Sequence, residues 1–328
     1  MKKLLALMLA AALALSLVAC GGGGGTGDTN ISSSGNDASP EVSEPQEGTV
    51  SSEEPQEIIL GLNETTTIGG VLELFTDSIM FSEKRVLDSN SVVTPPNGYL
   101  CATFYFIAKN VGKSPIQVSS LNSYIEYGDG YTFPGEPGVV GLELAPLTEE
   151  EILSIYYYVP PEAFENKDNP LSIVLIYGDE QYGIPLRAQE GEQLDKIYKS
   201  IDSMIADGWY TSAIWLIEVS GAYQRYSVVT GDEIKEFVLS GPVNMMNNMS
   251  LGDHDRKTYR NVSFREDGIY DSDGASFSTP WRIDGDAFIF QWGFEHNDYA
   301  CEVRKLSDNA YLLVWEGNPV RILWRDNS

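Results

Sequence analysis

Cysteine, histidine and positive charge are all scarce in this chain, and each scarcity closes off a class of function. Three cysteines in 328 residues cannot build a disulfide framework. Two histidines, His254 and His296, rule out a three-histidine metal site. The 21 Lys and Arg face 48 Asp and Glu, a formal net charge of −27, so a phosphate backbone would be repelled and nucleic acid is excluded as a partner. The nucleophile elbow G-x-S-x-G, the zinc helix H-E-x-x-H and the phosphate loop G-x-x-x-x-G-K-[ST] do not occur. Gly135, Gly138 and Gly141 lack the spacing of a dinucleotide loop. What is present is apolar surface. Hydrophobic residues make up 42% and aromatics 11%, which can offset chain entropy and excludes disorder throughout. The length allows two ordinary domains.

Residues 1–20 read MKKLLALMLAAALALSLVAC. Lys2 and Lys3 form a basic start, and Leu4 to Val18 is apolar except for Ser16. That is the layout of a secretory signal, too short for a permanent membrane span. Its last four residues, Leu17-Val18-Ala19-Cys20, resemble the lipobox of bacterial lipoproteins. The resemblance implies cleavage before Cys20 and diacylglyceryl modification of its thiol, so the lipid bilayer is the expected partner at this end. Two acyl chains suffice for stable anchoring. Loss of Lys2 and Lys3 takes the net charge from −27 to −29.

Residues 21–57 hold eight acids, no base and little to bury, and the pieces Ser43–Glu47 and Ser52–Glu57 look like a small repeat. A segment of this composition is expected to stay solvated. As a flexible coil it would span about 30–35 Å, extended further by like-charge repulsion, and serve as a spacer between lipid and folded part.

From Ile58 onward, short apolar or alternating runs are punctuated by Gly, Pro, Asn and Asp, the pattern of strands and turns. The exception is Glu190–Asp207, where Leu194, Ile197, Tyr198, Ile201, Met204 and Ile205 recur at helical spacing and Gly208 supplies a stop. All six tryptophans and both histidines follow it, which places a domain boundary near residue 190. The expected order is a β-sandwich over 58–189, a connecting helix over 190–207 and a small antiparallel barrel over 208–328: an all-β protein.

In the first half, Tyr99–Lys109 puts Leu100, Ala102, Phe104, Phe106 and Ala108 on one face and Cys101, Thr103 and Tyr105 on the other. The turn Asn110–Pro115 follows, then apolar runs at Gln117–Tyr127, Glu151–Val159, Leu171–Tyr177 and Tyr182–Leu186. About seven such strands suggest an immunoglobulin-like sandwich. Residues 66–187 resemble the Ig-like extracellular domains of Gram-positive lipoproteins. The likeness rests on Pro96-Asn97-Gly98-Tyr99, on the strand ending Ala108-Lys109-Asn110-Val111-Gly112-Lys113-Ser114-Pro115, and on Val159-Pro160-Pro161. It implies no catalytic residues.

In the second half, Glu266-Asp267-Gly268, Asp284-Gly285-Asp286, Ser307-Asp308-Asn309 and Glu316-Gly317-Asn318 are turn clusters between alternating runs. This half is similar to the lipocalin-like domains of bacterial lipoproteins. The matching stretches are Gly208-Trp209 on an opening strand, Val262–Gly268, Trp281–Asp286 and the closing strand to Arg325. Phe288, Phe290 and Trp292 share a face. Val320, Ile322 and Trp324 share another, with Arg321 and Arg325 opposite. Trp209, Trp281, Phe288, Phe290, Trp292 and Trp324 are therefore expected to line the barrel interior, with the Glu190–Asp207 helix over one end.

Metal chemistry finds little purchase. His254 with Asp253 and Asp255 reads as a solvated loop, and Glu295-His296-Asn297-Asp298 as a hairpin turn. Asp271-Ser272-Asp273-Gly274 resembles the core of an EF-hand loop, but the register puts Ile269 and Pro280 at its first and last ligand positions. Cys101 and Cys301 are read as two buried, unpaired thiols. No cofactor is implied. The expectation is a monomeric, non-enzymatic lipoprotein on the extracellular face of the membrane, binding a surface glycan or protein. The alternatives are a carrier or sensor of a small apolar ligand in the barrel and, third, an envelope hydrolase with a carboxylate pair.

Overall fold

The computed structural model describes residues 57–88, 91–139, 141–147, 151–247, 258–271, 279–292 and 297–326. The signal, Cys20, most of the acidic spacer, His254 and His296 lie outside them. The chain divides at Ser52 and Glu53, and everything described below belongs to the second unit. It is dominated by strands.

The first half is one nine-stranded sheet curled into two leaves. Its strands are β1 (Ile58–Ile59), β2 (Glu64–Ile68), β3 (Leu72–Ser82), β6 (Leu100–Asn110), β8 (Asn122–Tyr127), β9 (Tyr131–Pro137), β11 (Glu151–Val159), β12 (Leu171–Tyr177) and β13 (Glu180–Arg187). Outside the sheet lie two small two-stranded sheets, the hairpin of β4 (Arg85–Asp88) with β5 (Ser91–Val93) and the pair of β7 (Ile116–Gln117) with β10 (Glu143–Leu144). The order β1-β13-β12-β8-β9-β11-β6-β3-β2 makes β9 the seam. Tyr131–Pro134 pair with β8, and Gly135–Pro137 pair with β11. A strand that changes leaf turns a corner of this kind. Pro134 and Pro137 obscure it in the sequence because each removes a ladder donor. Gly135 is needed at the crossing, since a Cβ there would lie 2.5 Å from Ser123 Oγ and 2.7 Å from Ile155 Cγ2. Ala102, Phe104, Phe106 and Ala108 face the core as the alternation requires, with Phe104 and Phe106 stacked at 5.3 Å.

Among the described residues four α-helices follow or interrupt the strands: α1 (Pro161–Glu165), α2 (Gly191–Ala206), α3 (Tyr210–Ser220) and α4 (Gly231–Leu239). The apolar stripe of α2 buries Ile197, Ile201, Met204 and Ile205. Its end is a Schellman motif: Gly208, at φ +78°, donates its N–H to Ile205, and Trp209 donates to Met204. The chain then enters a second helix rather than a strand. In α3, Tyr210, Ala213, Ile214, Trp215, Leu216, Ile217, Glu218 and Val219 are all buried, because the helix lies between the sandwich and the barrel. Buried all round, it has no polar stripe to betray it. The helix α4 does announce itself. Thr230 Oγ1 accepts the Glu233 N–H at 3.3 Å, half of a capping box, and Asp232 and Glu233 favour the positive helix end.

The barrel closes through eight strands, β14 (Val243–Asn247), β15 (Thr258–Phe264), β16 (Ile269–Asp271), β17 (Thr279–Asp284), β18 (Ala287–Trp292), β19 (Asn297–Ser307), β20 (Ala310–Trp315) and β21 (Asn318–Trp324). Each pairs antiparallel with the next, and β14 pairs with β21, so no edge is left open. It therefore opens at Val243, not at Gly208-Trp209. Ile269 and Pro280, the two ends of the calcium-loop register, face each other across a strand pair, as a hairpin requires.

Candidate functional site

The barrel interior is packed. Phe264, Trp281 and Phe288 form an aromatic cluster with centroids 5.3–5.8 Å apart, and Phe290 stacks on Tyr299 at 5.5 Å. Val262, Tyr270, Cys301, Val303, Tyr311, Leu313 and Leu323 belong to the same buried cluster. Trp281 satisfies its indole N–H on the Arg265 carbonyl at 3.2 Å. The guanidinium of Arg321, fully buried, lies 3.7 Å from the Phe290 centroid. One end is stopped by α4, whose Ile234, Phe237 and Val238 join the interior cluster, with Phe237 4.6 Å from Tyr311. The expectation that Glu190–Asp207 closes this barrel is therefore corrected. Its apolar stripe belongs instead to the core shared with the sandwich.

Of the six expected lining residues, Trp281, Phe288 and Phe290 are in the interior, and the Trp292 side chain lies outside the described residues. Two expectations are corrected. Trp209 is the N-cap residue of α3, 38% exposed, edge-on to Phe75 of the sandwich at 5.7 Å. Trp324 packs on Tyr210 of α3 at 5.8 Å, on the barrel's outer face. The cause is a bulge. Leu313 pairs with Arg321 but Val314 with Pro319, so Val320 is extra and the alternation slips. Arg321 and Leu323 turn inward, while Ile322 and Trp324 turn towards the helices.

A roomy concavity lies elsewhere, as an open cleft of about 700 Å³ beside α1 and α3. That is within the range of small-molecule sites, roughly 300–1,000 Å³. Pro161, Phe164, Glu165 and Lys167 come from α1 and its following loop, Glu218 from α3 and Asn318 from the barrel. Thr94, Pro95, Tyr99 and Leu100 come from the segment entering β6, and Glu83 and Lys84 from the turn before β4. By contrast, the void of about 10 Å³ beside Phe106 and Ile116 is barely one water in size.

One arginine builds the cleft floor. Pro161 starts α1 at a position where its missing N–H costs nothing. The carbonyls at the other end need donors, and the buried Arg187 at the end of β13 supplies them. Its Nη2 donates to Ala163 O at 2.7 Å and Phe164 O at 3.3 Å, and its Nη1 to Asn166 O and to Asn169 O at 3.2 Å. The fifth donor, Nε, reaches Val219 O near the end of α3 at 2.9 Å. Five fixed donors meet five carbonyls from the ends of two helices and the loop after α1, which a lysine could not do. Burial pulls the guanidinium down to about 10.

Above that floor stands Lys167. Its Nζ donates to Phe164 O at 2.8 Å and lies 4.4 Å from the Phe164 ring centroid. Burial first, and then the Arg187 charge, lower its pKa to about 8, against the opposing pull of Glu218 and Glu165. Glu218 is itself only 4% exposed. The site thus sets Lys167 and Glu218 in the lining of a cleft with proline and aromatic walls, with the buried Arg187 charge behind Lys167. No pattern in the sequence marks it, because its charged groups come from three separate elements.

The two remaining cysteines are buried and unpaired. Burial raises both thiols, Cys301 to about 12, so neither is poised as a nucleophile. Among the described residues no three His, Cys, Asp or Glu gather as a metal site, and no helix is long and apolar enough to cross a membrane.

No family model and no curated protein matches the chain. An uncharacterized β-sandwich protein from Clostridium difficile 630 is similar at 17% identity and a TM-score of 0.35, over 41% of this chain and 97% of its own. A conserved hypothetical protein from Bacillus anthracis is similar at 12% identity and a TM-score of 0.31, over 38% of this chain and 93% of its own. Likeness at this level assigns no role.

Proposed function

We propose that this chain is a surface lipoprotein, anchored through acylated Cys20, whose Ig-like sandwich and lipocalin-like barrel form a non-enzymatic binding module on the extracellular face of the membrane. The observation that supports binding outside the barrel is the contrast between its packed aromatic interior and the open cleft of about 700 Å³ beside it. A carrier would need hollow space where Trp281, Phe288 and Phe290 stand. Anchoring rests on the sequence: a basic start, an apolar run, Leu17-Val18-Ala19-Cys20 and an acidic spacer. The test is Cys20→Ala in a Gram-positive host, followed by fractionation and mass spectrometry of the mature N-terminus. Wild type is expected in the membrane fraction with a diacylated Cys20, and the variant in the medium. A variant that stays membrane-bound, or a wild type that retains residues 1–19 without lipid, would overturn the anchoring.

A further inference from the structure

We propose that the cleft over Arg187 binds an α-amino acid with an apolar side chain, its carboxylate on Lys167 and its ammonium on Glu218. The inference rests on the binding-module reading and specifies the ligand class for it.

Charge at the floor comes first. Arg187 on β13 spends all five donors on carbonyls, so its positive charge has no carboxylate bonded to it. That charge and burial both disfavour the Lys167 ammonium. A ligand carboxylate placed on Nζ would relieve this, and Lys167 has donors to offer beyond the one used on Phe164 O. Glu218, buried on α3 in the same lining, supplies the opposite sign for an ammonium. The other charged groups facing the cleft are exposed: Glu165 after the first turn of α1, and Glu83 and Lys84 at the rim. Opposite charges in one lining, close enough for Glu218 to act on the Lys167 charge, match a zwitterion better than an anion or a cation alone.

The walls select the rest of the ligand. Tyr99, Pro95 and Leu100 from the segment entering β6 and Pro161 and Phe164 from α1 offer mostly apolar surface, Pro95 and Leu100 buried and the others half-buried, with two of the five fixed by proline rings. A side chain of phenylalanine or leucine size enters this volume readily and covers part of these surfaces.

Titration calorimetry on the full-length protein in detergent, with phenylalanine and leucine as probes, tests this. Saturable binding with Kd below about 1 mM is expected. Phenylpropionate, without the amine, and phenethylamine, without the carboxylate, should each bind at least about tenfold more weakly, since each strands one charged hydrogen bond. Lys167→Met should weaken phenylalanine by a similar factor and leave phenethylamine unchanged; Glu218→Gln should do the reverse with phenylpropionate. Should either variant fail to fold, the wild type gives a second readout. At pH 8.5 binding should take up protons, seen as heats that depend on buffer ionisation enthalpy, because a carboxylate raises the Lys167 pKa. Phenethylamine binding as tightly as phenylalanine, the absence of proton uptake, or no heat with either amino acid would overturn the assignment. A membrane-anchored protein that ignores both amino acids refutes the cleft assignment alone. A Cys20→Ala variant that stays anchored but binds phenylalanine refutes the anchoring alone.

Discussion

Replacing Arg187 by methionine tests whether one guanidinium holds the cleft floor to the helix beneath it. Methionine keeps much of the apolar stem, so the change is chiefly the loss of five donors. Phe164 O retains the Lys167 ammonium at 2.8 Å, which leaves four carbonyls without their donor. The bonds to Ala163 O and Val219 O are buried, while those to Asn166 O and Asn169 O are only partly so and water can replace them. At about 1–3 kcal/mol for each of the two buried acceptors stranded, the expected loss is about 2–5 kcal/mol, after a small return from no longer burying a charge. In a unit of this size that is a fall in Tm of roughly 10 °C, read by calorimetry at pH 7. Arg187→Lys should recover less than half, since one ammonium cannot span carbonyls from two helices. A second readout is local. With the neighbouring charge gone, Lys167 should titrate at higher pH, which pH-dependent amine labelling followed by mass spectrometry will report. A loss below about 1 kcal/mol with Lys167 unmoved would refute the argument, because it would mean that solvent already reaches these carbonyls.

Lys167 also gives stability a pH signature. Its folded pKa, about 8, lies below the unfolded value near 10.5, so between those limits the unfolded chain holds the extra proton and stability should rise with pH. Chemical denaturation at pH 7.5 and 9.5 should show that rise in wild type, and Lys167→Met should lack this component; identical slopes would refute it. Phe288→Ala, which opens a hole beside Trp281 and Phe264, should cost about 3–5 kcal/mol in urea unfolding. A cost under 1 kcal/mol would indicate a barrel with room to collapse. Gly231→Ala should destabilise by more than about 1 kcal/mol, since its Cβ would lie 2.2 Å from the Gly285 carbonyl oxygen that α4 packs against. Unchanged stability there would mean that α4 does not seat on the β17–β18 turn.

Much of the strand pattern was legible because alternation is a direct record of one-sided burial, as Ala102, Phe104, Phe106 and Ala108 illustrate. The signal fails where burial is two-sided. The stretch Tyr210–Ser220 is apolar on every side, contains β-branched residues and follows a glycine stop, so it passes for a strand while folding as α3. Gly231–Leu239 was legible in principle from Thr230 and Glu233, a short-range cap signal overshadowed by the hairpin pattern around it. Trp324 was misplaced by one extra residue, Val320, because alternation counted along a strand carries no information about a bulge. The cleft is of another kind. Arg187, Lys167 and Glu218 meet only through tertiary packing, and their separations of 20 and 51 residues correspond to no local period.

The helix α3 has a consequence for engineering. It shares one continuous core with residues of the sandwich such as Leu74 and Ile184 and with Ile322 and Trp324 on the outside of the barrel. A gene fusion or a truncation that took the barrel without the sandwich would bare that layer to solvent and invite aggregation. A vector built on this scaffold would therefore have to carry both halves, or replace the apolar residues of α3 that the missing half covers.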